Sequence, residues 1–300
     1  MALSDMLAAR VHDGMNEEKS AGSFPRAGRA KLPGLPGHVA RLRADLETAR
    51  EAQRRLSSGQ LPRIRGLDYY GECRPVRDAG GDFHDFVSLA PHGLAVSVGE
   101  LSGHGLGAGI LMSGLRALWR GLAALGPGGI GRAVRDLNRA AWQAWPGDFY
   151  ATLFHACVDP VSRQLEYVNA GHESALLVRC HNGRVHRLES TGTVLGLSDR
   201  TVYGRRTLPL EPGDLLIAHT DGVTDAGNSE GVGFGEQGIL RAVERHPGAS
   251  ACDLAREILE ALDRHAGRGR QDDQTVVVVR FKGAAAHGAF ETAEEAVLAA

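Results

Sequence analysis

Gly80-Gly81-Asp82-Phe83-His84-Asp85-Phe86-Val87-Ser88-Leu89 and, a few residues on, Leu94-Ala95-Val96-Ser97-Val98-Gly99-Glu100-Leu101-Ser102-Gly103-His104-Gly105 carry the decisive pattern. Two short apolar runs, 83–89 and 94–98, are separated by turn residues, as strands are. A carboxylate beside glycine stands at the edge of each. The pattern predicts a further strand at 67–73 before them. Two helices are predicted next, over 107–124 and 130–145, with Ile110, Leu111, Leu115 and Leu118 on the first. Ile130, Val134, Leu137, Ala141 and Trp145 fall at helical spacing on the second. Strands return at 150–158, 164–169, 175–180, 185–188, 204–210 and 214–219. Asn182-Gly183 marks a hairpin between two of them. A second helix pair, 236–245 and 250–266, precedes a last strand at 275–281. Its run Val276–Val279 reads as buried on both faces. The order is strands, helix pair, strands, helix pair, strand. That order argues against a βαβ array and for an α+β fold with mainly antiparallel sheet.

Composition narrows the field. Of 300 residues, 43% are hydrophobic and 23% charged, enough for a packed core. The net charge of −2 excludes a chain built to coat nucleic acid, so no nucleic-acid partner is expected. No apolar run reaches the roughly 18–20 residues of a membrane span. The best candidate, 106–125, is broken by Arg116 and Arg120. No secretory leader is legible over 1–10, and a cytoplasmic location without membrane contact is expected. Cys73, Cys157, Cys180 and Cys252 form no CxxC pair, so they read as reduced thiols rather than a zinc site. Trp119, Trp142 and Trp145 read as core packing.

The flanks differ from this middle. Residues 1–36 lack a sustained period and read as a mobile arm, too short and polar for a sensor domain. Over 37–60 the pattern becomes a helix. Val39, Leu42, Leu46, Ala49, Gln53 and Leu56 step by threes and fours, a heptad seam. Either this helix dimerises through residues 38–57, or it lies solvated against the domain. Residues 283–300 read as a tail.

Four separate strand edges carry acid residues: Asp82 and Asp85; Glu100; Asp221 and Asp225 in Thr220-Asp221-Gly222-Val223-Thr224-Asp225; and Asp272-Asp273 before Gln274-Thr275. Each alone is ordinary turn chemistry. Together they acquire a second reading if one end of a sheet gathers them. Converging carboxylates must be protonated or must share a cation. An all-oxygen set suits Mg²⁺ or Mn²⁺. A pair of such ions acidifies a shared water and clamps a phosphoryl oxygen.

The same blocks resemble a known family. Pro75-Val76-Arg77-Asp78-Ala79-Gly80-Gly81-Asp82-Phe83-His84-Asp85 is similar to the GGDFYD block of protein phosphatase 2C-like enzymes of the SpoIIE/RsbU type. Gly99–Gly105 resembles their GDVSGHG, and Tyr167-Val168-Asn169-Ala170-Gly171-His172 their YVNAGH. Pro212-Gly213-Asp214 with Thr220-Asp221-Gly222 and Asp225 resembles PGD…TDGLTE, and Asp272-Asp273-Gln274-Thr275 resembles DDxT. Ala49-Arg50-Glu51-Ala52-Gln53 resembles the AREIQ helix that precedes such domains. Order and spacing agree over about residues 60–282, so 61–282 is expected to form the phosphatase domain.

The resemblance implies two stacked antiparallel sheets flanked by helix pairs, and a two-metal protein phosphatase acting on phosphoserine or phosphothreonine. It implies Asp82 as ligand to one metal and Asp221 and Asp272 to the other. Glu100 stands where the family has a bridging aspartate, and the Leu101 carbonyl is a further ligand. Asp85, Asp225 and Asp273 are implied in outer or weaker metal roles. A water between two Mn²⁺ or Mg²⁺ ions would attack phosphorus in line. A small phosphorylated regulatory protein, a STAS-type anti-sigma-factor antagonist, is the implied partner. Glu100 adds one methylene to the bridging position, a displacement of roughly 1–1.5 Å. A catalytically impaired relative serving as a regulatory binding module is therefore the alternative. His172 reads as a packed turn histidine or a general acid, His104 as support for its glycine-rich turn, and Asn169 as a strand-end residue. The basic cluster Arg264, His265, Arg268 and Arg270 reads as a solvated loop or a docking site for phosphoprotein.

Overall fold

The computed structural model describes residues 41, 44–48, 51–52, 61–76, 80–103, 105–123, 129–145, 149–267 and 270–283. The chain divides into Met1–Leu42 and Arg43–Ala300, and every element below lies in the second unit. Residues 44–48 and 51–52 are helical, as expected. Of the heptad seam only Leu46 falls among the described residues. The arm, the tail after 283 and His104 lie outside them.

Among the described residues, ten strands form two five-stranded sheets. One sheet runs β1 (Leu67–Arg74), β10 (Gln274–Phe281), β9 (Leu215–His219), β6 (Ala175–Arg179), β7 (Arg184–Leu188). The other runs β2 (Asp82–Leu89), β3 (Gly93–Leu101), β4 (Ala151–Asp159), β5 (Gln164–Ala170), β8 (Arg206–Pro209). Every neighbouring pair of strands is antiparallel. Among the described residues after 60, five helices flank the sheets: α1 (Leu106–Ala123), α2 (Ile130–Ala144), α3 (Asp221–Thr224), α4 (Gly235–Arg245) and α5 (Ala251–Ala266).

Strand alternation sorts the apolar residues into three layers. Phe86, Val96, Val98, Phe154, Leu177, Leu216, Val277 and Val279 meet between the sheets. Phe83, Ala95, Leu153 and Val168 face outward beneath Met112, Leu115, Trp119, Val134 and Leu137 of α1 and α2. Val276, Val278, Ile217 and Leu176 face outward beneath Ile239, Leu254, Ile258 and Leu262 of α4 and α5. The result is an α/β/β/α sandwich. The valine run of β10 feeds both layers, as its continuous hydrophobicity required. Each buried valine contributes roughly 1.5–3 kcal/mol.

Local chemistry sets the ends of the elements. The Ser250 hydroxyl accepts from the Asp253 amide at 3.1 Å and caps α5. Gly267, at φ 64°, ends that helix in the left-handed region. Asn138 sits on the buried stripe of α2 yet is fully satisfied: its Nδ2 donates to the Ser198 carbonyl at 2.7 Å, and its Oδ1 accepts from the Gly196 amide at 2.8 Å. The Asn182-Gly183 turn joins β6 to β7 as expected.

The strand expected at 204–210 is confined to Arg206–Pro209, and a second boundary departs with more consequence. The strand predicted to stop at residue 98 runs on to Leu101. Gly99 does not break it. A Cβ there would lie 2.9 Å from the Thr152 carbonyl oxygen and would collide with the Phe83 ring. Glycine here marks close approach of neighbours rather than a strand end. The extension places Glu100 within the ladder, directly opposite Asp82. The short helix α3 was also absent from the expected elements.

The Pro-Gly-Asp block has a structural role. Asp214 is 1% exposed and pairs with Arg179, itself 6% exposed. The Asp214 carboxylate also accepts the Glu211 amide at 2.7 Å, and Arg179 donates to the Pro209 carbonyl at 2.8 Å. Removing one member strands the other charge. Arg179→Ala is therefore expected to lower unfolding free energy by about 3–5 kcal/mol in urea titrations.

Candidate metal centre

Antiparallel order puts the start of one strand beside the end of the next. One end of the sandwich thus collects the start of β2, the end of β3, the start of β4, the end of β9 and the start of β10. Asp82 and Glu100 are direct cross-strand partners, and Glu100 in turn opposes Thr152. Directly opposed residues share a face. That face is the inter-sheet one, because Phe86, Val96, Val98 and Phe154 on the same alternation lie in the inter-sheet core.

Asp82 is 8% exposed, and the opposite sheet holds it. Thr220, at the end of β9, and Thr275, in β10, donate their hydroxyls to Asp82 Oδ2 at 2.8 and 2.7 Å. The Thr275 amide donates to Thr220 Oγ1 at 3.0 Å, which links the two donors. Asp221 follows Thr220 directly and opens α3. Asp272 is exposed on the connection into β10. The Leu101 carbonyl faces Gly81, next to Asp82.

These groups feel one another. Burial, then the charges of Asp82, Asp221, Asp272 and Asp273, push the Glu100 carboxyl up to about 9. Burial pushes Asp82 up to about 8 against the opposing effect of its threonine donors. Asp221 is raised by burial and by Asp272 and Asp225. Glu100 thus feels carboxylates from the other three acid-bearing strand edges. Among the described residues, no three His, Cys, Asp or Glu side chains are already arranged as a closed metal cage. The donor chemistry still fits a hard divalent cation: every donor is oxygen, and the set carries charge that burial leaves uncompensated.

Two expected outer ligands behave otherwise. Asp85 sits on the opposite face of β2 from Asp82, because the side-chain period of a strand is two. It lies under α1, where its Oδ1 meets Arg120 at 2.6 Å and Arg116 at 3.3 Å. Asp85 anchors α1 and has no part in the centre. Asp273 accepts the amides of Val76 at 2.7 Å and Gly81 at 2.8 Å, so its two oxygens hold the turn before Asp82. Gly222 is required beside it, since any Cβ there would run into the Asp273 carbonyl. Asp225 is exposed at the end of α3.

The sequence reading missed the parts without charge. Thr220 and Thr275 position Asp82, and Thr152 receives the ring of His172. The signal for both threonines was adjacency to Asp221 and to the Asp272-Asp273 pair. His172 is 6% exposed, its Nδ1 lies 2.8 Å from Thr152 Oγ1, and burial lowers its pKa to about 3. Its burial and its bond to Thr152 are those of a packed turn histidine. Asn169 is more than a strand end. Its Oδ1 accepts the His172 amide at 2.8 Å, and its Nδ2 donates to the Leu188 carbonyl at 3.1 Å. Cys73 is also drawn toward the centre, where burial and Asp82 raise its thiol pKa.

The comparisons with known proteins agree with this geometry. A family model described as stage II sporulation protein E (SpoIIE) matches residues 90–282. Protein IcfG of Synechocystis is 27% identical over 79% of this chain and 41% of its own length. Phosphoserine phosphatase RsbU of Bacillus subtilis is 26% identical over 83% of this chain and 73% of its own. The chain thus spans well under half of one of these relatives. Among solved structures, the SiaA-PP2C domain of Pseudomonas aeruginosa superposes with a TM-score of 0.69 at 22% identity, covering 82% of this chain and all of that one. RsbX, solved in complex with magnesium, superposes at 0.55 with 17% identity, covering 74% of this chain and 98% of that one. These two establish the fold. Among the described residues no helix is long and apolar enough to cross a membrane.

The raised carboxyls set the pH response. In the metal-free protein, Asp82 and Glu100 hold protons in the fold that the unfolded chain releases near pH 4. The folded state then binds more protons, so stability falls as pH rises from about 4 toward 9. Thermal melts of chelator-treated protein at pH 6 and pH 8.5 are expected to show the lower Tm at 8.5. Added Mn²⁺ is expected to raise Tm at both pH values, to shrink the difference, and to release protons on binding at pH 7.

Proposed function

Because the chain belongs to the stage II sporulation protein E (SpoIIE) family, we propose that it is a metal-dependent protein serine/threonine phosphatase. Its substrate in this reading is a phosphoserine or phosphothreonine on a small regulatory protein, of the STAS anti-sigma-factor-antagonist kind. The observation that carries the reading is the meeting of Asp82, Glu100, Asp221 and Asp272 at one end of the sandwich, with Glu100 pushed up to about 9. A buried carboxylate under that pressure calls for a counter-cation.

Asp82, Glu100, the Leu101 carbonyl, Asp221 and Asp272 are the proposed ligands for two Mn²⁺ or Mg²⁺ ions. When bound, such a pair supplies a water of lowered pKa and a clamp on phosphoryl oxygens. The chain's own contribution is positional. Thr220 and Thr275 fix Asp82 Oδ2 from the opposite sheet, and among the described residues no hydrogen bond occupies Oδ1. The β2–β3 ladder fixes Glu100 against Asp82. Asp273 holds the Val76 and Gly81 amides and so shapes the turn that delivers Asp82.

Glu100 is also the observation behind a second reading, a regulatory binding module with little turnover. Its carboxylate reaches further than the aspartate it resembles in position. Turnover of a phosphoserine peptide with Mn²⁺ separates the two. Asp221→Asn and Asp272→Asn are each expected to lower kcat/KM at least about 100-fold, a loss of about 2.7 kcal/mol of transition-state stabilisation. Glu100→Asp is expected to keep or raise activity. No turnover in the wild type or in Glu100→Asp, with partner binding unaffected by chelator, favours the binding module.

A further inference from the structure

The structure sorts the basic cluster of the sequence. Arg264 is spent on Glu257, at 2.6 Å, and Glu260, at 3.9 Å. His265 lies 2.8 Å from the Val232 carbonyl, with its ring on Phe234. Arg268 lies outside the described residues. Arg270 is different. It lines a cleft of about 510 Å³ shared with Asp221, Asp225, Asp263 and Asp272.

Among the described residues lining that cleft, Arg270 is the only cation. It makes no ion pair with any described carboxylate, although four line the same space. Its one hydrogen bond is long, from Nη1 to the Pro75 carbonyl at 3.5 Å. Asp263, on the same cleft, is engaged by Arg74 at 3.1 Å. With one long hydrogen bond and no ion pair among the described residues, the exposed guanidinium keeps most of its donor fork for an incoming anion. That fork matches the oxygens of a phosphoryl group. Arg270 also precedes Asp272 by two residues, so it stands at the rim of the candidate metal centre.

Building on the phosphatase reading, we propose that Arg270 binds the phosphomonoester dianion of the substrate and sets the affinity of the site for it. The bond is to phosphoryl oxygen and does not involve proton transfer. Arg270 therefore acts on binding rather than on the chemical step.

The test has two arms, both with the full chain and Mn²⁺. In the first, inorganic phosphate is titrated calorimetrically into wild type, Arg270→Ala, Arg270→Lys and Arg264→Ala. Arg270→Ala is expected to weaken phosphate binding about 10-fold, Arg270→Lys about threefold, and Arg264→Ala not at all. Mn²⁺ affinity and Tm are expected to match wild type in all three variants. In the second arm, turnover of a phosphoserine peptide by Arg270→Ala is expected to show KM raised about 10-fold with kcat within about threefold. Unchanged phosphate affinity in Arg270→Ala, an equal loss in Arg264→Ala, or no phosphate binding by wild type overturns the proposal. Phosphate binding needs no turnover. A wild type that binds phosphate through Arg270 yet hydrolyses nothing sinks the phosphatase reading and leaves this inference standing.

Discussion

The carboxylate of Asp82 lies between two sheets, and that placement constrains everything around it. A charge so deeply buried is tolerated only with strong partners. Two threonine hydroxyls from the facing sheet supply part of the compensation, at 2.8 and 2.7 Å. They do not supply all of it, because the group still holds its proton up to about pH 8. The same bonds tie the two sheets together at this end. The candidate metal site and the closure of the sandwich thus rest on the same three side chains.

Glu100 extends the problem along the ladder. It opposes Asp82 directly, and like charges so placed repel. An ordinary protein surface would not retain that pair. The fold keeps it where antiparallel order also delivers Asp221 and Asp272, which adds further negative charge. Local stability is given up here and recovered in the three apolar layers, where residues such as Leu94, Val134 and Leu254 are wholly inaccessible. Electrostatic strain of this kind, held by an apolar frame, is what the proposed metal site would relieve on binding a cation.

Acid residues that look alike in sequence meet different ends. Asp82 and Asp85 are three apart on one strand, so they face opposite layers, one the metal centre and the other the arginines of α1. Asp272 and Asp273 are adjacent, and again only the first is open to a ligand, while the second satisfies backbone amides. Asp214, in a block that resembles family sequence as closely as any, is sealed against Arg179. Family blocks thus mix residues that hold the frame with residues that face the reaction. Strand parity and hydrogen-bond partners separate them.

Much was legible in the chain itself. The alternation of apolar runs and helix pairs predicted an α+β fold with mainly antiparallel sheet, and the continuous hydrophobicity of Val276–Val279 predicted a strand buried on both faces, because both are local patterns of period and polarity; the stacking of two sheets came from the family resemblance. The acid blocks by themselves read equally as turns, and it was their resemblance to family blocks that pointed to metal chemistry. Three things belonged to the tertiary structure alone. Gly99 continues its strand, since only the packed Phe83 ring and the Thr152 carbonyl explain the missing side chain. Thr220 and Thr275 hold Asp82 across 138 and 193 residues of chain. Arg270 stands apart from Arg264 and His265, which bond Glu257 and the Val232 carbonyl, because it forms no ion pair among the described residues. Each depends on a contact between distant segments, and no local pattern records which distant segment will be near.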